Sequence, residues 1–274
     1  MPTDLSKVSG LAISLDDDLM LKFPHDLMVK SVSERTLDGI RPYLIFKDAE
    51  ADIPVIYRVW RNLMPMQDEA ELSGVGIRYD ITIIPPGTFK FRNGQREFFH
   101  TAGHYHDTAE NALGYPEIYE VLSGRVRSLI QKPLETPDRI SETYLIEAGP
   151  GEKILIPPGF GHVSINAEDK ALVLANVIAT NPKYIYGAFE ELGGGCYRLL
   201  ASDDKSMIEI EPNSKYRDIP ELKKLTPKKD WFKGYFEPLW NAYINHRDQI
   251  AFIIKPESYR KEFFAIGNLY KEIK

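Results

Sequence analysis

The pattern of hydrophobic and polar residues changes twice along the chain, near residue 76 and near residue 212. Between these points, short runs rich in β-branched and aromatic residues alternate with glycine and proline turns, a pattern typical of a β sandwich or barrel. The predicted strands are Arg78–Ile84, Glu97–Thr101, Glu117–Leu122, Arg125–Gln131, Thr143–Glu147, Lys153–Ile156, His162–Ile165, Ala171–Ile178 and Cys196–Ala201. Ser123-Gly124 lies between two of them and predicts a tight hairpin.

The two flanking segments have a mixed pattern. Before the barrel, Leu19–Phe23 and Pro42–Phe46 favour short strands, whereas Ser31–Leu37 and Val55–Met64 favour helices. We therefore expect one structural domain with three parts: an N-terminal β/α elaboration over residues 1–75, a barrel over 76–211 and a partly helical extension over 212–274.

The C-terminal extension begins with a charged, proline-containing stretch at 213–229, which favours a connector. Six aromatic residues follow between Trp231 and Tyr243, and Pro256–Tyr270 predicts a helix with Pro256 in its first turn. Aromatic residues on a terminal segment are usually a docking surface. We expect this segment to clasp the barrel or a second subunit.

Composition narrows the classes of partner. The chain has 274 residues and a net charge of −6, which argues against nucleic acid because phosphate binding requires a basic face. Cys196 is the sole cysteine, so no internal disulfide forms; we expect a buried side chain and a cytoplasmic location. Neither a signal peptide nor a run long enough to cross a membrane is expected.

Metal-binding chemistry is concentrated in two motifs. Residues 151–166 have the form G-x5-P-x-G-x2-H-x3-N and contain His162, and upstream stand His104 and His106, followed by Glu117. His104 and His106 are two residues apart, so both side chains leave the same face of a strand. Three imidazoles and a carboxylate suit one divalent transition metal: iron, manganese, nickel, cobalt or zinc.

A second carboxylate competes for the fourth ligand position. Glu110 follows His106 at the short spacing H-x-H-x3-E, but its surroundings favour a loop. Glu117 begins a predicted strand and stands ahead of the turn glycine Gly124, so we favour Glu117.

A structural role is the usual one for an isolated histidine, and His25, His100 and His246 belong to no pattern. A single H-x-H pair is a weak signal of a metal site. Both motifs in the right order, separated by predicted strands, favour metal binding over a structural role.

The segments 101–106, 115–124 and 157–166 resemble the cupin-type glucose-6-phosphate isomerases of archaea and some bacteria, within the cupin superfamily. The resemblance covers roughly residues 76 to 200. It implies a mainly β double-stranded β-helix, the cupin jelly roll. It also implies a metal-dependent aldose–ketose isomerase that interconverts glucose 6-phosphate and fructose 6-phosphate, with a sugar phosphate as its partner.

The resemblance also assigns roles to individual positions. The implied metal ligands are His104, His106, Glu117 and His162, and Glu117 is also the implied catalytic base. The implied substrate contacts are Thr82, Thr101, Gly103, Tyr119 and Tyr186. The chain departs from the family pattern at Tyr184, where compact members often have a histidine, and near 176–178, where an expected tyrosine is absent. These departures bear on which sugar binds.

Two chemical routes and two other functions stay open. The hydrogen could move between C1 and C2 through a cis-enediol with a base, or by a metal-assisted hydride shift. A different cupin enzyme (an isomerase of another sugar, or an oxygenase) and a non-catalytic sugar-binding cupin are the alternatives. Small jelly rolls often pair through exposed strand edges, so we expect a homodimer.

Overall fold

The computed structural model describes residues 2–108, 113–202, 207–259 and 261–273. Its strands are β1 (Thr3–Asp4), β2 (Ser14–Leu15), β3 (Leu21–Lys22), β4 (Leu27–Met28), β5 (Ser31–Thr36), β6 (Val55–Arg61), β7 (Met64–Pro65), β8 (Ile77–Ile84), β9 (Thr88–Lys90), β10 (Arg96–Phe98), β11 (Tyr105–His106), β12 (Glu117–Ser123), β13 (Val126–Pro133), β14 (Ile140–Ala148), β15 (Lys153–Ile156), β16 (Gly161–Ile165), β17 (Leu172–Ala179), β18 (Tyr184–Ile185), β19 (Tyr197–Ala201), β20 (Ile208–Pro212), β21 (Lys223–Pro227) and β22 (Tyr270–Glu272). The α-helices are α1 (Ser6–Ser9), α2 (Leu37–Ile40), α3 (Glu69–Leu72), α4 (Gly187–Leu192), α5 (Leu239–Asn245) and α6 (Ile266–Leu269). Short 3-10 turns lie at Arg41–Tyr43, Met66–Asp68, Arg247–Ile253, Pro256–Ser258 and Lys261–Phe264.

Two large sheets form a jelly roll. The six-stranded sheet has the order β15-β12-β17-β8-β6-β5, and the five-stranded sheet has the order β16-β13-β14-β21-β22. All neighbours are antiparallel except β14 and β21, which run parallel. From β12 to β17 the chain passes back and forth between the two sheets, which is the winding of a double-stranded β-helix. The predicted mainly β jelly-roll fold is confirmed.

The centre of the six-stranded sheet is covered on both faces. Every residue of β17 is buried, polar Asn176 included, and so are most residues of β8. A sheet with one solvated face would show alternating burial instead. One face of these strands points into the barrel, and segments outside it pack on the other.

Two predicted helices in the N-terminal part are wrong, because they are strands. Residues 31–36 form β5, and residues 55–61 form β6, which pairs with β8. Val55, Tyr57 and Trp60 are β-branched or aromatic, so they fit the pleated surface of a sheet. Pairing with β8, distant in sequence, decides the conformation of this segment.

The predicted hairpin at Ser123-Gly124 is also wrong. β12 pairs with β15 and β17, whereas β13 pairs with β14 and β16, so the turn carries the chain from one sheet to the other. Gly124 has a φ of +79°, and a Cβ there would stand 2.9 Å from the carbonyl oxygen of Ala171. The glycine is therefore required by backbone conformation and by packing.

Three further segments differ from expectation. Pro42–Phe46 begins in a 3-10 turn rather than a strand, with Pro42 in the first turn. Over its described residues, the predicted helix Pro256–Tyr270 is instead two short 3-10 turns followed by α6. The expected connector 213–229 contains β21, which extends the five-stranded sheet.

The C-terminal extension packs on the barrel of its own chain, as one of the two expected arrangements requires. Glu120 and Lys153 form an ion pair of 2.7 Å on the outer face of the six-stranded sheet, and both side chains are 1% exposed. Lys153 Nζ donates to the carbonyl oxygen of Tyr235, and the amide of Leu239 donates to Glu120 Oε2. The buried pair thus binds the backbone of the extension directly. The three-part division of the chain stays a prediction.

Cys196 is buried beside Thr143, with 3.2 Å between Sγ and Oγ1, and burial raises the pKa of its thiol to about 12. The expectation of a buried cysteine is therefore confirmed. No helix within the described ranges is long and apolar enough to cross a bilayer.

Candidate metal centre

Four side chains from three parts of the jelly roll converge at one end of the barrel. His104 pairs its backbone with His162 of β16, and His106 lies in β11. Glu117 is the first residue of β12, as predicted. The metal-ligating atoms of these four residues all lie within 4.8 Å of one another. The sequence-predicted ligand set is thus brought together, and Glu110 lies outside the described residues.

The carboxylate of Glu117 stands at the centre of the cluster. Its Oε2 lies 3.3 Å from His162 Nε2 and 3.5 Å from His106 Nε2. Its Oε1 accepts a 2.7 Å hydrogen bond from the amide nitrogen of Asn176. One oxygen therefore faces the imidazoles of His106 and His162, while the other is held in place by Asn176 of β17.

Hydrogen bonds outside the cluster orient two of the imidazoles. His106 Nδ1 lies 2.8 Å from the carbonyl oxygen of Tyr115, so this nitrogen carries the proton and donates it. His104 Nδ1 lies 3.4 Å from the carbonyl oxygen of Ala102. Both Nε2 atoms consequently present a lone pair to the cluster. Tyr119 makes a further contact there, with 3.1 Å between its hydroxyl and His162 Nε2.

The protonation states suit a metal ion. Burial lowers the pKa of His104 and of His106, which keeps both imidazoles neutral. Burial alone would raise the pKa of Glu117, but the imidazoles of His162 and His106 beside the carboxylate outweigh it and hold that pKa below its ordinary value. Neutral imidazoles and an ionised carboxylate are the forms that bind metals.

Unpaired polar atoms support the same conclusion. His104 Nε2, His106 Nε2 and Glu117 Oε2 are buried and have no hydrogen-bond partner among the described residues. Buried polar groups without partners are costly, and a bound ion would satisfy all three. Ligand atoms around one ion lie at most about 4.2 Å apart, since each bond is about 2.1 Å. The observed cluster exceeds that span by a fraction of an ångström, so these residues fit a divalent transition metal.

Asn176 gives a first test of this arrangement. Replacing it with alanine removes the hydrogen bond that fixes Glu117 Oε1, and we expect metal affinity to fall by about 10- to 100-fold. Metal affinity is measured by competition with a chromophoric chelator. Asn181→Ala, at an exposed position further along the chain, is the matched control. A shift in Asn176→Ala no larger than in that control would contradict the role of Asn176.

The cluster opens onto a pocket inside the barrel. Of the predicted substrate contacts, Thr82, Thr101, Tyr119 and Tyr186 line this pocket, together with His104 and Glu117. Thr101 Oγ1 accepts a 3.0 Å hydrogen bond from the amide of Ser164, so its own hydroxyl proton is available to a ligand. The ring of Tyr186 lies 5.4 Å from that of His104.

Gly103 is the predicted contact that does not line the pocket. The space that a Cβ would occupy there is filled by the ring of Phe189, which belongs to α4. A side chain at this position would displace α4 from the barrel. Packing against Phe189 thus explains why a glycine stands at position 103. The contact of Gly103 with the substrate stays a prediction.

Several pocket residues were missed by sequence reasoning. Among them are Tyr57, Val59 and Arg61 of β6, Asp80 of β8 and Asn176 of β17. Tyr57, Val59 and Arg61 alternate along β6, and Val59 lies opposite Thr82 of β8. Recognition of β6 as a strand would have placed all three on the face that Thr82 shares.

Arginines on the sheet bring positive charge to the pocket. Arg61 lines it and pairs with Asp80 at 3.3 Å, and Arg78 pairs with the same carboxylate at 2.9 Å.

Tyr184 occupies the position where the family pattern often has a histidine. Its ring packs edge-on against His104, with 4.7 Å between centroids, and Arg78 Nη2 donates to its hydroxyl. Burial raises the pKa of Tyr184 well above its ordinary value, so the phenol stays protonated. The departure therefore places a neutral phenol, which accepts a hydrogen bond from an arginine, beside the candidate metal ligands.

Comparison with known proteins identifies the family of this chain. Residues 40–215 match the family model described as glucose-6-phosphate isomerase. The glucose-6-phosphate isomerase of Thermococcus litoralis is 28% identical over 190 residues, covering 68% of this chain and 87% of that protein. That of Thermococcus onnurineus is 25% identical over 187 residues, covering 67% and 86%. A solved oxalate oxidase aligns with 49% of this chain and 57% of its own, at 20% identity and a TM-score of 0.35. Because the family model matches more than half of the chain, the chain belongs to the cupin-type glucose-6-phosphate isomerase family.

Proposed function

We propose that this protein is a metal-dependent aldose–ketose isomerase that interconverts glucose 6-phosphate and fructose 6-phosphate. The observation that carries the proposal is the convergence of His104, His106, Glu117 and His162 at the wall of a polar pocket. Family membership supports the choice of substrate.

Each part of the pocket would have a role in the reaction. A divalent metal bound by the four ligands would supply Lewis-acid stabilisation at the C1 and C2 oxygens of the sugar. Asn176 holds Glu117 in position, and Tyr119 has its hydroxyl beside His162. The hydroxyls of Thr82 and Thr101 would donate to the phosphoryl group, and the positive charge of Arg61 would favour an anionic substrate.

A coupled assay tests this function. Purified protein is stripped with a chelator, reloaded with each metal of a panel and supplied with fructose 6-phosphate. We expect activity to disappear on chelation and to return with at least one metal, and free fructose to be a much poorer substrate. Turnover of a free sugar at a comparable rate would favour another cupin isomerase. Protein that binds no metal, or that keeps its activity in chelator, would contradict the proposal.

The route of hydrogen transfer is a separate question. Glu117 Oε1 accepts from Asn176, and Oε2 belongs to the ligand cluster, so neither oxygen stands free to take a carbon-bound proton. We therefore expect isomerisation in deuterated water to give product with little deuterium at C1 or C2, as a hydride shift requires. Extensive incorporation would restore the predicted role of Glu117 as base.

We further propose the identity of the metal, the subunit number and the cellular location. The donor set accepts iron, manganese, nickel, cobalt or zinc, and the metal panel ranks them. A homodimer is supported by β5, which stands at the end of its sheet with most residues exposed. Sedimentation equilibrium would give the subunit number. A cytoplasmic role in sugar-phosphate metabolism is consistent with a lone buried thiol.

A further inference from the structure

Strand β5, in the N-terminal part of the chain, carries an arginine whose side chain contacts a residue of the pocket wall. Arg35 lies opposite Tyr57 in the β5–β6 pair, and its Nε donates to the hydroxyl of Tyr57 at 3.3 Å. The guanidinium also lies 5.9 Å from the ring centroids of Tyr43 and Tyr186. Arg35 does not line the pocket itself, and it precedes the segment 40–215 that matches the family. It therefore acts on the pocket only through the tyrosines that it contacts.

The hydrogen bonds of Tyr57 determine the direction of its hydroxyl. A tyrosine hydroxyl accepts through its oxygen and donates one proton. The oxygen of Tyr57 accepts from Arg35 Nε and from the backbone amide of Ala102, each at 3.3 Å. With both donors on the protein side, the remaining proton points to an acceptor elsewhere. Since Tyr57 lines the pocket, this proton is available to a ligand there.

The neighbouring groups select the chemistry of that ligand. Thr101 also has its hydroxyl oxygen engaged, by Ser164, and so offers a proton to the same pocket. Thr82 and Arg61 line it as well. Several donors and a cation suit an anionic oxygen ligand such as a phosphoryl group. Arg35 donates to the hydroxyl of Tyr57 from outside the pocket, so it strengthens this donor without contacting the ligand.

We infer that Arg35 is a positioning residue for phosphoryl recognition, which holds Tyr57 as an obligate hydrogen-bond donor and fixes Tyr186 beside it. The inference rests on the proposed function for the identity of the substrate. It assigns to the N-terminal strand, outside the family segment, a contribution to substrate affinity rather than to the chemical step.

The test uses the metal-loaded protein and two readouts. Affinity for inorganic phosphate is measured by calorimetry, and KM and kcat are measured with fructose 6-phosphate. For Arg35→Gln we expect KM and the phosphate Kd to rise about tenfold, the order of one charge-assisted hydrogen bond, with kcat little changed. Arg35→Lys keeps the charge and is expected to restore part of the affinity. Arg58→Gln is the matched control, because Arg58 follows Tyr57 but pairs with Glu34 outside the pocket.

The double variant separates positioning from a structural effect. If Arg35 acts through Tyr57, then Arg35→Gln in a Tyr57→Phe background adds much less than tenfold to either constant. Full additivity, a fall in kcat with unchanged KM, or an Arg35→Gln effect no larger than that of Arg58→Gln would overturn the inference. Wild-type protein that binds no phosphate would do the same. Phosphate binding needs no turnover, so a wild-type protein that binds phosphate through Arg35 without isomerising the sugar would reject the proposed function alone. Should Arg35→Gln fail to fold, Arg35→Lys and Tyr57→Phe carry the comparison.

Discussion

Replacing His162 with alanine is expected to lower metal affinity and isomerase activity by more than the roughly 100-fold that loss of an outer hydrogen bond costs. His162 Nε2 lies 3.3 Å from Glu117 Oε2, and His162 is the proposed ligand that the five-stranded sheet contributes. Without it, His104, His106 and Glu117 leave one side of the coordination sphere open. The carboxylate of Glu117 also loses a close imidazole neighbour in a buried site.

Metal content by elemental analysis and the coupled assay measure this effect together. The matched control is His25→Ala, which removes an exposed histidine from the N-terminal part of the chain. A melting temperature close to that of the chelated wild type would show that the fold survives. His162→Ala with normal metal content and normal activity would remove this residue from the ligand set.

Breaking the buried ion pair between Lys153 and Glu120 is expected to give the largest loss of stability. Both side chains are 1% exposed, and removal of one partner leaves the other charge buried without compensation. For Lys153→Met we expect the free energy of unfolding to fall by about 3–5 kcal/mol. Lys153 Nζ also donates to the carbonyl oxygen of Tyr235, so the same variant should loosen the C-terminal extension.

Denaturant unfolding measures the loss, and limited proteolysis between residues 228 and 238 reports on the extension. Lys132→Met is the control, because its pair with Glu142 is 46% and 36% exposed and is expected to contribute less than about 1 kcal/mol. Glu120 is next to Tyr119 in β12 but points to the opposite face, so activity per folded molecule should persist. A loss in Lys153→Met no greater than in Lys132→Met would show that the extension is held by its aromatic residues instead.

The cluster of candidate metal ligands could be predicted because its signal is local in the sequence. His104 and His106 share a strand face by their spacing, and His162 follows a Pro-Pro-Gly turn that begins a strand. These residue types are uncommon, so their coincidence with the strand pattern is informative. The position of Glu117 at the start of β12 followed from the same alternation.

The rest of the pocket depends on contacts between distant segments. Tyr57 and Arg61 come from β6, whose sequence also suits a helix, and pairing with β8 decides its structure. Asn176 was part of a predicted strand, but its contact with Glu117 requires the register between β17 and β12. The link between Arg35 and the pocket is harder still to predict, because Arg35 lies on the outermost strand of the sheet and reaches the pocket through Tyr57.

The C-terminal extension shows the same limit. Alternation along β12 places Glu120 on the face opposite Tyr119, but it does not say what covers that face. The described residues show it covered by Tyr235, whose carbonyl oxygen accepts from Lys153, and by Leu239, whose amide donates to Glu120; such backbone groups carry no sequence signal. The residue types along the sequence therefore do not predict which segment makes such a contact, or in which register.

Titration of metal into the chelated protein tests the central claim most directly. Bound metal and the rate of fructose 6-phosphate isomerisation are followed in the same samples. We predict that both rise together and saturate at one metal per chain, and that His162→Ala shows neither rise over the same range. Activity that is already complete before metal is added, or metal binding at one per chain with no isomerase activity for any metal of the panel, would contradict the assignment.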